Sequence, residues 1–200
     1  MKTATDRRAA HVEDTRAALL AAARVLFTEK GYAATGTEEI VQRASLTRGA
    51  LYHHFRNKED LFRAVLEQVE EELITDLVSA RTEPVPAEFW VGFRQGCQRF
   101  LDACDDPAVR QIMLVDGPAV LGWAQCREIG LPSGFGALHQ SLDEALKLGV
   151  LDPQPVEPLA HLLIAAISEA ALYIAAADRP EAARAEMGGA LDRLLERLRR

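Results

Sequence analysis

Thr37-Glu-Glu-Ile-Val-Gln-Arg-Ala-Ser45-Leu-Thr-Arg-Gly-Ala-Leu-Tyr-His-His-Phe55-Arg-Asn-Lys-Glu-Asp-Leu61 is the stretch that decides the fold. It holds two short helices, separated by a break at Ser45-Leu46-Thr47, and the start of a longer one. Thr37 is placed to cap the first, with Glu38 and Glu39 in the turn where the helix dipole favours negative charge and with Ile40, Val41 and Ala44 facing inward. Thr47 caps the second, which runs to about His54. Asn57 caps the third, whose N3 residue Asp60 makes a capping-box-like arrangement, and which continues to about Ser79. Leu51 and Phe55 lie one turn apart and can anchor the middle helix to Leu26, Phe27 and Ile40, leaving Arg48, Gly49, Tyr52 and His53 toward solvent or DNA. Gly49 destabilises a helix by roughly 0.5–1 kcal/mol relative to alanine, and a close approach to a groove or a partner helix would account for it. Two short helices with a three-residue break, closely followed by a long one, are what a helix-turn-helix requires.

Helical spacing continues on both sides of this stretch. Leu19, Ala22, Ala23, Leu26 and Phe27 form one apolar stripe that ends at Lys30-Gly31, where glycine can adopt a left-handed cap. Downstream, Glu83-Pro84-Val85-Pro86 reads as a rigid linker, and Trp90, Phe93, Cys97, Phe100, Leu101 and Cys104 mark an amphipathic helix. A short helix over 106–115, a turn at Asp116-Gly117-Pro118 and a helical region over 119–148, broken around 130–136, come next. Two terminal helices over 157–177 and 180–199 complete the chain. No stretch shows the alternation of a half-buried strand. The expected fold is all-α: an N-terminal three-helix helix-turn-helix domain over 14–60, preceded by a flexible arm over 1–13, and a C-terminal helical body over 61–200.

The formal net charge of −7 conceals a split. Residues 1–63 hold 11 Lys and Arg against 8 Asp and Glu, whereas 64–200 hold 12 against 22, so the N-terminal third is +3 and the remainder −10. Phosphate contacts need local positive potential, and the acidic body would be turned away from DNA. With 48% hydrophobic residues the chain can bury a sizeable core, while its longest apolar stretch, Leu159 to Ile167, is far short of the roughly 20 residues that span a bilayer. The N-terminus lacks the apolar core of a signal peptide, and an odd count of three cysteines without metal-type spacing argues against a disulfide framework or structural metal. A cytoplasmic location, with no membrane partner and no cofactor, is expected.

The quoted stretch, over about Thr15 to Leu66, resembles the DNA-binding signature of TetR (tetracycline repressor) family regulators. Ile40, Ala44, Gly49, Leu51, Tyr52, Phe55, Lys58 and Leu61 match it together across three helices. Ser45 stands where that family usually has glycine, which implies a slightly different turn conformation. The resemblance implies that Thr37, Tyr52 and Lys58 contact phosphates and that Arg48, Gly49 and His53, with Thr47 beside them, face the bases. Hydroxyl and ammonium donors fix register on the backbone, and arginine can bridge guanine bidentately. It further implies a homodimer on double-stranded operator DNA, most simply a repressor on a palindromic site, released by a small apolar or amphipathic effector.

In that family an inducer pocket lies among the helices that follow the reading head. Trp90, Phe93, Cys97, Met113, Leu114, Trp123, Phe135 and Leu138 would line it, with His139 and His161 as polar anchors; core packing is the competing explanation for the same residues. Ala165, Ala166 and Ala170, which permit close backbone approach, and Leu191, Leu194 and Leu198 would form a two-fold four-helix seam, with intramolecular packing again the alternative. Adjacent His53 and His54 do not face one another on a helix and are not read as metal ligands. No paired-carboxylate motif, nucleophilic triad or phosphate-cradling loop is present, so an enzyme is not expected.

Overall fold

The computed structural model describes residues 4–79, 86–130 and 134–200. Glu83 to Val85 of the expected linker, and 131–133 within the expected break, lie outside the described residues. The described residues form α1 (Ala4–Ala34), α2 (Thr37–Arg43), α3 (Arg48–His54), α4 (Lys58–Ser79), α5 (Pro86–Ala103), a π-helix (Val109–Asp116), α6 (Gly117–Gly130), α7 (Gly134–Lys147), α8 (Val156–Ala176) and α9 (Pro180–Glu196). The sole strand-like feature among them is an isolated bridge between Leu151 and Arg199.

The expected stripe on α1 is buried: Leu19, Ala23 and Phe27 are wholly enclosed and pack with Ile40, Leu51 and Phe55 into the core of the N-terminal head. Helix α1 already includes Ala4, inside the segment expected to be an arm. Gly31 kinks the helix rather than ending it. With φ 75° and ψ 168° it occupies a region open essentially to glycine, and the helical path resumes to Ala34.

Helix α4 runs unbroken from the head into the body, crossing the expected boundary at residue 60. Its Phe62 meets Phe27 and Tyr32 edge-on, with ring centroids 5.3 and 5.1 Å apart. The turn expected at Asp116-Gly117-Pro118 is absent. Gly117 is right-handed helical (φ −50°, ψ −61°), and the π-helix passes directly into α6, with Pro118 in the first turn where its missing N–H is tolerated. The crowding is local, because a Cβ on Gly117 would lie 3.2 Å from the Ile112 carbonyl oxygen. The π-helix packs against α1, α4, α6 and α8, and so sits where head and body meet.

Ion pairs join α5 to α9: Arg94 to Asp192 (3.2 Å) and Glu196 (2.6 Å), and Arg184 to Asp102 (2.6 Å). Helix α8 is long and apolar enough to cross a membrane by length and composition, with mean hydropathy 1.8 over its best window. Leu159, Leu163, Ile167, Ala171 and Ile174 bury one side of it in the protein's own core, whereas Leu162 (69% exposed) and Tyr173 (53%) face outward.

Candidate nucleic-acid interface

The recognition helix α3 is held from behind and from its ends. Leu51 is wholly buried and Phe55 nearly so, the Thr47 hydroxyl accepts the Ala50 N–H at 3.2 Å, and Arg16 of α1 lies over the Phe55 ring at 5.5 Å. The following cap is reciprocal: Asn57 Oδ1 accepts the Asp60 N–H (2.8 Å), and Asp60 Oδ2 accepts the Arg56 N–H (3.0 Å). Ser45 takes φ 56° in the intervening turn, so serine occupies a glycine-type left-handed position. The opposite conformational preference of L-residues makes this a strained site.

The face left outward is polar. Arg48, Gly49, Tyr52 and His53 are all exposed. Gly36, not Thr37, is the N-cap of α2 and makes no side-chain cap bond; Thr37 is the first helical residue. The Thr37 hydroxyl lies instead beside the Tyr52 phenol. Thr37 first, and Arg48 second, hold that phenol below its ordinary pKa. Arg48 lies 5.9 Å from the Tyr52 ring centre and 3.6 Å from the Glu38 carboxylate, a pairing across helices that helical periodicity could not disclose. A Cβ on Gly49 would meet only Thr47 Oγ1, at 3.7 Å, so nothing in the described protomer requires glycine there. His54 is turned partly inward. Burial first, then His53 and Arg16, lower its pKa from 6.5.

Lys58 is engaged inside the protein. Its ammonium donates to the carbonyl oxygens of Tyr32 (2.9 Å) and Thr35 (3.0 Å) and lies 3.9 Å from the Tyr32 ring centre. Lysine carries three N–H donors, so one remains after these two bonds. Thr35 reinforces the joint through its buried hydroxyl, which donates to the carbonyls of Gly31 (2.8 Å) and Leu26 (3.2 Å).

The body distributes its expected ligand residues unequally. Trp90, Cys97, Leu114 and Phe135 are buried and Phe93, Met113 and Leu138 partly so, all within the common apolar core, while Trp123 is 59% exposed. His161 is exposed and His139 half-buried. Both place Nε2 3.4 Å from a Glu157 oxygen, and the Phe135 ring lies 4.6 Å from that of His161. An open groove of about 350 Å³ lies elsewhere, at the α8–α9 corner beside Tyr173, Asp178, Arg179 and Glu186, and includes none of these residues. The thiols of Cys97 and Cys104 are pushed up to about 12 chiefly by burial, which makes them poor nucleophiles. Of the expected seam, Ala170 and Leu191 are buried in the protomer's own packing and Leu198 is partly buried against it, whereas Ala165 and Leu194 are exposed and Ala166 is half-buried.

An anchored recognition helix on a small head, joined by a continuous helix to an acidic all-α body, defines a helix-turn-helix DNA-binding protein. Residues 19–65 match the family described as bacterial regulatory proteins, tetR family, and residues 90–198 match the tetracyclin repressor-like C-terminal domain. The crystal structure of a TetR-family transcriptional regulator from Pectobacterium atrosepticum is 36% identical, covers 95% of this chain and 96% of its own, and superposes with a TM-score of 0.78. The transposon Tn10 TetC protein of Escherichia coli is 28% identical over 151 residues, covering 76% of this chain and 75% of its own. RolR in complex with resorcinol shares the fold at 19% identity and a TM-score of 0.69, over 93% of this chain and 89% of its own. The chain belongs to the TetR family of transcriptional regulators. Members bind DNA, respond to ligands and act as dimers, and they are not enzymes.

Proposed function

We propose that this regulator is a cytoplasmic repressor that binds a palindromic double-stranded operator as a homodimer and is released by a small apolar or amphipathic effector. The carrying observation is the division of α3, whose inner side is fixed by Leu51 and Phe55 while Arg48, Gly49, Tyr52 and His53 stand clear of the protein. Tyr52 and the neighbouring Thr37 seat the head on phosphate together with the remaining N–H of Lys58. Arg48 and His53 read base edges beside Thr47, and Gly49 lets the helix approach them closely.

A second copy covers the outer face of α8 and α9. Leu162, Ala165, Tyr173 and Leu194, with the half-buried Ala166, supply its apolar seam; Ala170 and Leu191 support it from beneath. Two heads held at fixed separation match half-sites one helical turn or a multiple apart. The effector occupies space opened among Trp90, Phe93, Cys97, Met113, Leu114, Phe135 and Leu138, and it shifts the population only insofar as it binds one head spacing better than the other. RolR, which binds resorcinol, supports the idea that this fold accommodates a small aromatic molecule. A gel shift with the DNA upstream of the protein's own coding sequence tests the reading, and no shift at low salt would overturn it.

A further inference from the structure

Gly31, the kink in α1, lies under the end of the π-helix. A Cβ at Gly31 would stand 3.2 Å from Gln111 Nε2 and 3.4 Å from Asp116 Oδ2, so side chains of the π-helix come directly against the α1 backbone. At that point the Tyr32 N–H donates to Asp116 Oδ2 at 2.7 Å, a bond across 84 residues between head and body. The same peptide unit region is gripped from the other side, since Tyr32 O accepts from Lys58 at the start of α4 and the Tyr32 ring packs on Phe62. Two body-linked elements thus meet on one residue of the head.

The π-helical register is what delivers Asp116. A π-helix closes i→i+5 bonds, is rare, and has the ordinary α-helix as its neighbouring alternative. Rewinding Val109–Asp116 to α geometry changes register by a residue, and each residue turns the chain by about 100°. Such a change carries the Asp116 carboxylate off the Tyr32 N–H. A packed element with two discrete arrangements is the kind that transmits coupling between sites.

We propose that Asp116 is a latch that fixes the orientation of the reading head in its DNA-binding state, and that the π-helix is the part of the body whose rewinding opens it. This rests on the DNA-binding reading above and adds a route of control that bypasses the length of α4. Asp116 is a positioning residue, remote from the exposed face of α3.

The test compares full-length wild type, Asp116→Ala and Asp116→Asn by amide hydrogen exchange at Tyr32 and by affinity for DNA selected from a random pool by the wild type. Asp116→Ala should raise Tyr32 exchange at least tenfold with no rise at the buried Leu51 amide, and weaken DNA binding about tenfold; Asp116→Asn, which keeps an acceptor oxygen, should recover most of both. Unchanged Tyr32 exchange in Asp116→Ala overturns the latch, as does raised exchange with unaltered affinity. General exchange throughout the head would show a folding defect in place of a latch. If the wild type selects no DNA, the DNA-binding reading fails, and with it the latch's role, whatever Tyr32 exchange shows.

Discussion

Head and body are built from the same elements but separate chemistry from packing to different degrees. In the head, apolar side chains such as Leu19, Phe27 and Leu51 are enclosed, and the groups suited to DNA are those the core does not use. In the body, the residues suited to an apolar ligand are of the same types as the core. Trp90 and Phe135 are buried among its other side chains. A polar partner leaves its mark as exposed donors on an anchored helix, whereas an apolar one leaves a composition that packing also explains.

The largest expected effect tests whether the head is a packed unit of its own. Phe62→Ala removes a ring wholly enclosed between Phe27 and Tyr32 and should lower stability by about 3–5 kcal/mol in urea denaturation, with the dimer still seen by sedimentation. Loss of the dimer together with the head would erase the distinction between the two regions. Tyr52→Phe should weaken DNA binding by about 1–1.5 kcal/mol, roughly tenfold, across sequences while leaving the urea midpoint in place, because the hydroxyl stands outside the core. A shifted midpoint with unaltered binding would make Tyr52 part of the scaffold.

Ser45→Gly relieves a left-handed serine and should raise stability by about 0.5–1 kcal/mol, measured as a higher urea midpoint; a lower midpoint would mean that the serine side chain supports the turn. The smallest effect concerns pH. His54 has a lowered pKa in the folded head, so the folded state takes up its proton less readily than the unfolded chain does. Its contribution is complete above about pH 6.5 and is lost as pH falls below that through the folded value. His54→Gln should therefore flatten stability against pH on the acid side of neutrality. An unaltered slope would assign that pH dependence to other groups.

Local structure was the legible part. The caps at Thr47 and Asn57 and the buried pair Leu51 and Phe55 all follow from patterns within a few residues of each other. Misreadings arose where local chemistry competes with packing. Asp116-Gly117-Pro118 has the composition of a turn, yet Gly117 is pressed against the preceding helical carbonyl and the chain stays helical. Gly31 has the form of a cap but continues as a kink, because Tyr32 beyond it is tied down by Lys58 and Asp116. Thr37 looks like a cap, but Gly36 takes the extended N-cap conformation and leaves Thr37 as the first helical residue. Contacts such as Tyr32 with Asp116 carry no periodic signal, since nothing in either neighbourhood specifies the other.

The open surroundings of Gly49 bear on how such a regulator changes over generations. At Gly49 and His53 the protomer's fold asks little of the side chain, and Arg48 is tied only to exposed groups, the Glu38 carboxylate and the Tyr52 ring. If these residues read base edges as proposed, substitutions there can redirect the protein to a new set of promoters without a folding penalty. The determinants of where it binds can therefore drift in lineages that retain the same response to their chemical signal, and a duplicated copy can acquire new targets while its sensor stays intact.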